Sequence, residues 1–280
     1  MLIILGFGLL QACSAVRLAY NQAPDLAYWW LDGYVDFNET QSPRVRDELT
    51  RLMAWHRTSE LPKYVALLQK AQLMLPKDTT AREVCALFDE TRTLFDSVSN
   101  KALPVMAEFA PTLTAEQLSH LKRKYAKNNE EYAKERLKGT AQERAARRFK
   151  QAVERSEMLY GKLDEVQISA VKLAIEQSSF DVVLNQKERE RRQKDALDTL
   201  SGLSAFKPAP QASLAALRAY VERSAKSPDL TYRTYADKIV QESCTAFTTV
   251  HASTTSAQRT KAVENLQDYV VDMQALIKQK

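Results

Sequence analysis

The chain is poor in the residues that make loops, bind metals and carry chemistry. Glycine occurs six times in 280 residues, three of them at or before Gly33. There is no glycine-rich phosphate loop and no G-x-S-x-G turn, which removes the common nucleotide-binding and serine-hydrolase signatures. The three histidines, His56, His120 and His251, lack the H-x-x-x-H or H-E-x-x-H spacing of a metal site. A lone helical histidine is far more often a packing or surface residue than a ligand. Adjacent carboxylates such as Glu130 and Glu131 do not face one another on a helix. These absences predict neither a catalytic residue, nor a metal site, nor a cofactor. Past the N-terminus no apolar run approaches the roughly 20 residues of a membrane-spanning helix.

What remains is helix-forming material. Ala, Leu, Glu, Lys, Arg and Gln dominate, and hydrophobic residues make up 45% of the chain, enough for a packed core. No apolar alternation of period two survives six residues, so no sheet is expected. The predicted fold is all-α, an elongated bundle of long antiparallel helices. An aromatic-rich helix carries Tyr28, Trp29 and Trp30, taken as its anchor in the core, with an interfacial role as the alternative. Val84, Leu87, Phe88, Leu94 and Phe95 form an amphipathic stripe, followed by an expected break near Asn100 and Pro104. Longer helices are expected over about 114–138, 140–160, 163–200, 210–226, 231–253 and 256–278, punctuated by Gly139, Gly161, Gly202 and Pro228. Pro111 marks the expected boundary between an N-terminal unit, 23–110, and a C-terminal unit, 111–280.

The net charge of +5 is concentrated in one stretch. Residues 113–160 hold twelve Lys and Arg against seven Asp and Glu. No zinc-finger spacing or aromatic RNA-binding motif accompanies it, so nucleic acid is not an expected partner. Lys122, Arg123, Lys127, Arg144, Arg147 and Arg148 stand beside apolar positions such as Leu118, Leu121 and Tyr125. Three readings stay open for these cations: a surface that attracts protein clients, a solvated face paired with nearby Glu, or contact with anionic lipid.

The N-terminus suggests an address. Leu2 to Leu10 is apolar and short, as in a secretory signal, although no Lys or Arg precedes it. Leu10-Gln11-Ala12-Cys13 resembles the lipobox of bacterial lipoproteins. That resemblance implies a signal peptide over 1–12, lipidation of Cys13, and a membrane-anchored envelope protein facing the periplasm. Ser14 favours the outer membrane by the usual sorting rule. Residues 13–22 are read as a tether. Export leaves Cys85 and Cys244 as an even pair where disulfides persist, and the alternative is two buried thiols beside Val84, Phe88, Val240 and Phe247.

Two motifs head helices. In Leu113-Thr114-Ala115-Glu116-Gln117 the threonine can cap the helix while Gln117 reaches back, a capping box. Leu163-Asp164-Glu165-Val166-Gln167 repeats the form fifty residues on, and Thr255 to Arg259 is a looser third copy. The paired L-T-x-x-Q motif resembles the Spy/CpxP family of periplasmic proteins, with Asp164 departing from it. The resemblance covers roughly 110–200 and implies a curved helical hairpin and a chaperone-like or envelope-stress role. A dedicated envelope partner is the alternative. Over nearly its full length, from Tyr28-Trp29-Trp30-Leu31-Asp32 to His251-x-Ser253-Thr254-Thr255-x-x-Gln258-Arg259, the chain also resembles an uncharacterised family of proteobacterial lipoproteins, which implies no activity.

Overall fold

The computed structural model describes residues 15–279. The expected signal peptide, 1–12, and Cys13 lie outside the described residues. The described chain runs α1 (Ala15–Asn21), α2 (Ala23–Val35), α3 (Gln41–Trp55), α4 (Leu61–Met74), α5 (Ala81–Phe109), α6 (Ala115–Tyr132), α7 (Ala141–Tyr160), α8 (Glu165–Gln177), α9 (Val182–Phe206), α10 (Pro210–Ala225), α11 (Leu230–Ala252) and α12 (Ser256–Lys278). No strand occurs among the described residues, so the protein is an all-α multi-helix bundle.

Helix α5 is the spine. Its 29 residues span about 43 Å at 1.5 Å per residue. It starts on a capping box between Thr80 and Glu83. The break expected near Asn100 and Pro104 does not form, and α5 continues through Pro104. An interior proline costs roughly 3 kcal/mol, and the burial of neighbouring Leu103 and Ala107 offsets it. Those two residues pack with Ala110, Leu203 and Leu217 from α9 and α10. At the other end of α5, Val84 and Cys85 pack against Cys244 of α11. A third cluster joins Leu75, Tyr160, Leu163, Val171, Val250 and Ala262. The two sides of Pro111 therefore share their core.

Helices α3 and α4 join through a π-turn at His56–Glu60. That wider turn, with Leu61 N bonded to His56 O, falls just ahead of Pro62, whose nitrogen has no hydrogen to donate. The helix predicted over 163–200 is two helices, because Asp181 accepts from Val183 N and Leu184 N and starts α9 afresh. Most of the expected tether is α1, docked on α12 through Arg17 and Asp272 at 3.1 Å. Finally, α6 packs on α2 and α9 while α7 packs on α8 and α12, so the two do not lie together along their length as a hairpin.

Cys85 and Cys244 are disulfide-bonded, their Cα atoms 5.6 Å apart across a sequence separation of 159. In the chain-entropy picture a loop of that size contributes up to about 5 kcal/mol. Replacing both cysteines with alanine should lower stability by about 2–5 kcal/mol, read as a lower denaturant midpoint, and reducing agent should shift the parent the same way but leave the variant unmoved.

Candidate functional site

The motif glutamines build two matching clasps at opposite ends of α5. In the first, Gln117 closes its capping box: its amide N–H donates to Thr114 Oγ1 at 3.2 Å while its Oε1 accepts from Thr114 N at 3.0 Å. Its Nε2 then leaves its own helix and donates to Gln41 Oε1 at 2.6 Å and to Asp36 O at 2.9 Å. Gln41 is itself boxed by Asn38 in the same two bonds, and its Nε2 returns to Gln117 Oε1 and Thr112 O, each at 3.4 Å. In the second clasp Gln167 is boxed by Asp164 and Gln258 by Thr255. Gln167 Nε2 donates to Gln258 Oε1 at 2.7 Å and Ser253 O at 3.0 Å, and Gln258 Nε2 donates to Gln167 Oε1 at 2.9 Å and Lys162 O at 3.0 Å.

Each glutamine thus bonds its own helix start, the partner glutamine, and a carbonyl two residues ahead of the partner's capping residue. The likeness extends outward. The order of buried, half-buried and exposed positions is the same over 111–129 and 161–179. Leu113, Leu163, Gln117 and Gln167 are all buried.

Around the second clasp His251 is fully buried. Lys77 O, 2.8 Å from Nε2, can only accept, so Nε2 carries the proton and Nδ1 accepts from Tyr160 Oη at 2.8 Å. Burial pulls the His251 pKa below the usual imidazole value, opposed in part by the bond to Lys77 O. Burial pushes the Tyr160 hydroxyl well up. Arg259 spans His251 O and Asp78, which fixes the start of α12 to the loop before α5.

The expected client-binding cations separate into two places. Lys122, Arg123 and Lys127 are exposed on α6. Arg144, Arg147 and Arg148 line a cleft of about 830 Å³ between the end of α6, the start of α7 and the linker after α8. Their guanidinium groups are held. Arg144 donates to Leu137 O and Gly139 O, and Arg147 to Lys138 O. Arg148 lies over Phe180, 4.3 Å from the ring centre. Burial pulls the Arg148 pKa down, with Tyr235 and Glu242 acting against it. Arg136 joins the same wall and bonds Gln151. Glu135 lines the same cleft, and Glu143 and Glu242 interact electrostatically with Arg147 and Arg148. Asp181 of the linker is engaged as the cap of α9, and Glu242 accepts from Ser179 N and Oγ of the same linker.

Sequence reasoning missed Asn38–Gln41, although N-x-x-Q is as much a capping box as T-x-x-Q. It also missed a buried ionic network on α9. There Glu188 accepts from Arg191, Arg192 and Ser227, and Asp195 accepts from Arg223 at 2.6 Å. Burial opposes ionisation of Glu188, yet the bonds from Arg191 and Arg192 hold its pKa below the usual carboxylate value. These charges tie α9 to the turn before α11. The sequence showed them only as ordinary i,i+3 and i,i+4 pairs.

Residues 33–220 match a family of unknown function, DUF6279. The chain belongs to that family. The matched span includes the first clasp, Gln167 and the cleft, and ends before Gln258. No curated protein and no solved structure matches the chain.

Truncating Gln167 removes both of its bonds to the Gln258 amide and the donor to Ser253 O, while Gln258 keeps Lys162 O and Thr255 N, so Gln167→Ala should cost roughly 2–4 kcal/mol in denaturant unfolding; Thr114→Ala, which removes one cap acceptor, should cost about 1 kcal/mol. Because the folded pKa of His251 is depressed, its contribution is present above the unfolded value near 6.5 and is lost as pH falls through the lowered value. The unfolding midpoint should therefore drop as pH falls below about 6.5, and His251→Gln, less stable at pH 7.5, should show a flatter profile.

Proposed function

We propose that this protein is a non-enzymatic lipoprotein of the bacterial envelope, anchored through Cys13 and facing the periplasm from the outer membrane, which receives an acidic segment of another protein in the arginine-lined cleft. One observation carries the reading. Four guanidinium groups, Arg136, Arg144, Arg147 and Arg148, line the cleft against two lining carboxylates, Glu135 and Asp181, and three of the four are held by backbone carbonyls or an aromatic ring. A planar guanidinium already oriented by its neighbours binds an incoming carboxylate with better geometry than a mobile surface lysine does. Phe180 and Val183 add an apolar floor. A lined cleft of fixed shape fits a dedicated partner better than a cradle for unfolded clients.

Export and anchoring are supported by the lipobox resemblance and by the Cys85–Cys244 bond, a linkage suited to an oxidising compartment. A non-enzymatic role is supported by the histidines, each occupied in packing. His56 Nδ1 meets Tyr20 Oη at 2.8 Å, His120 Nε2 lies 3.3 Å from Gly33 O, and His251 is locked between Tyr160 and Lys77.

Photo-crosslinking in cells from a reporter at Ala141, an exposed residue lining the cleft, tests the reading. One dominant adduct with an acidic crosslinked peptide is expected, weakened by added salt after cell disruption. Arg136→Glu with Arg148→Gln should abolish it, while Lys172→Glu on α8 should leave it unchanged. A smear of adducts would move the function to general chaperoning, and no adduct from the rim would overturn the cleft as the binding site.

A further inference from the structure

The aromatic face of α2 is not the core anchor that the sequence suggested. Tyr28 alone is buried, at 5% exposure, with its hydroxyl donating to Ser42 Oγ at 3.0 Å. Trp29 and Trp30 are 62% and 63% exposed, and Leu26 one turn earlier is 57% exposed. Leu26, Trp29 and Trp30 fall at i, i+3 and i+4, hence on one side of the helix. Two adjacent exposed indoles beside a leucine form the kind of apolar patch that marks a contact surface.

Three features around the patch point to the same occupant. First, indoles with one apolar body and one polar N–H concentrate at the headgroup level of membranes. Second, cations border the patch. Arg46 stands 4.9 Å from the Trp29 ring centre and pairs with Asp25. Trp30 contacts Tyr34 at 4.9 Å between ring centres, and Lys124 Nζ lies 5.5 Å from the Tyr34 ring. Lys124 belongs to α6, which packs on α2 and also exposes Lys122, Arg123 and Lys127. Third, the chain length sets the reach. Cys13 precedes α1 by two residues, at most about 7 Å of extended chain, and α1 leads into α2 after the single residue Gln22.

We propose that α2 docks on the membrane surface, its Leu26, Trp29 and Trp30 face entering the interface of an anionic bilayer while the α6 cations meet the headgroups. The distance argument rests on the anchoring reading above, whereas the indole and charge arguments stand without it. Docking holds the anchored molecule in one orientation instead of leaving it to swing from its acyl chains.

The test uses the full chain carrying Trp55→Phe, which leaves Trp29 and Trp30 as the emitting residues. The protein is reconstituted into phosphatidylglycerol-containing vesicles, with and without lipids brominated near the headgroup end of the acyl chains. Quenching by the brominated lipid and a blue shift are expected. Replacing Lys122, Arg123 and Lys127 with Gln should weaken docking roughly 100-fold, three cations at about 1 kcal/mol each, and extend the unquenched emission. Equal emission from both vesicle types overturns the proposal, as does a blue shift that depends on protein concentration and not on bromine, which assigns the face to a second copy of the chain. Mass analysis of the N-terminal peptide from the same sample separates the two readings. An acylated Cys13 without quenching sinks the docking alone, and quenching by a chain with unmodified Cys13 sinks the anchor while leaving the docking intact.

Discussion

A primary amide that caps its own helix and then bonds into the start of another is the constraint on which this structure depends. A glutamine side chain has two donors and one acceptor oxygen with two lone pairs, and Gln167 uses all of them while fully buried. Helix starts are otherwise places where backbone N–H groups go unmatched. Pairing two starts through two glutamines satisfies both at once and fixes the angle at which the helices leave. With one clasp at each end of α5, paired helix starts and the apolar clusters around Leu103 and Val84 together hold the bundle at the two ends of that helix.

That division of labour explains where the basic cleft lies. Helices α6 and α8 are each fixed at their starts by a clasp, but their far ends are free to diverge. The far end of α6, the beginning of α7 and the linker after α8 meet there, and the arginines line the resulting wedge. The carbonyls of 137–139 orient Arg144 and Arg147 in place of carboxylates. The positions of these guanidinium groups are thus set by the backbone of the α6–α7 turn, and the rigid part of the molecule shapes the cleft.

Much of this was legible from residue order. Helix content, most helix ends and the two L-x-x-x-Q heads follow from composition, capping boxes and punctuation by glycine and proline. The partner of each head was not legible, because Gln117 and Gln41 are 76 positions apart and nothing local in Asn38-Glu39-Thr40-Gln41 names its mate. Pro104 misled, since its breaking tendency is local while the burial that overrides it comes from α9 and α10. Ser178 to Asp181 contains neither glycine nor proline, so only the capping habit of Asp181 betrayed the break. Tyr28, Trp29 and Trp30 read alike as apolar residues, and only the packed structure separates the one facing inward from the two facing out.

The spine has a consequence for biogenesis. Both flanks of α5 are supplied by helices from the last third of the chain, and α4 lies along α12, with Gln72 bonded to Gln267 across 195 positions. Contacts so distant in sequence form late. A ribosome or a translocation channel must release nearly the entire polypeptide before its first hundred residues find their neighbours. Until then those residues are a substrate for proteases and holdases, and a premature stop anywhere ahead of the final helix leaves them permanently exposed to that quality control.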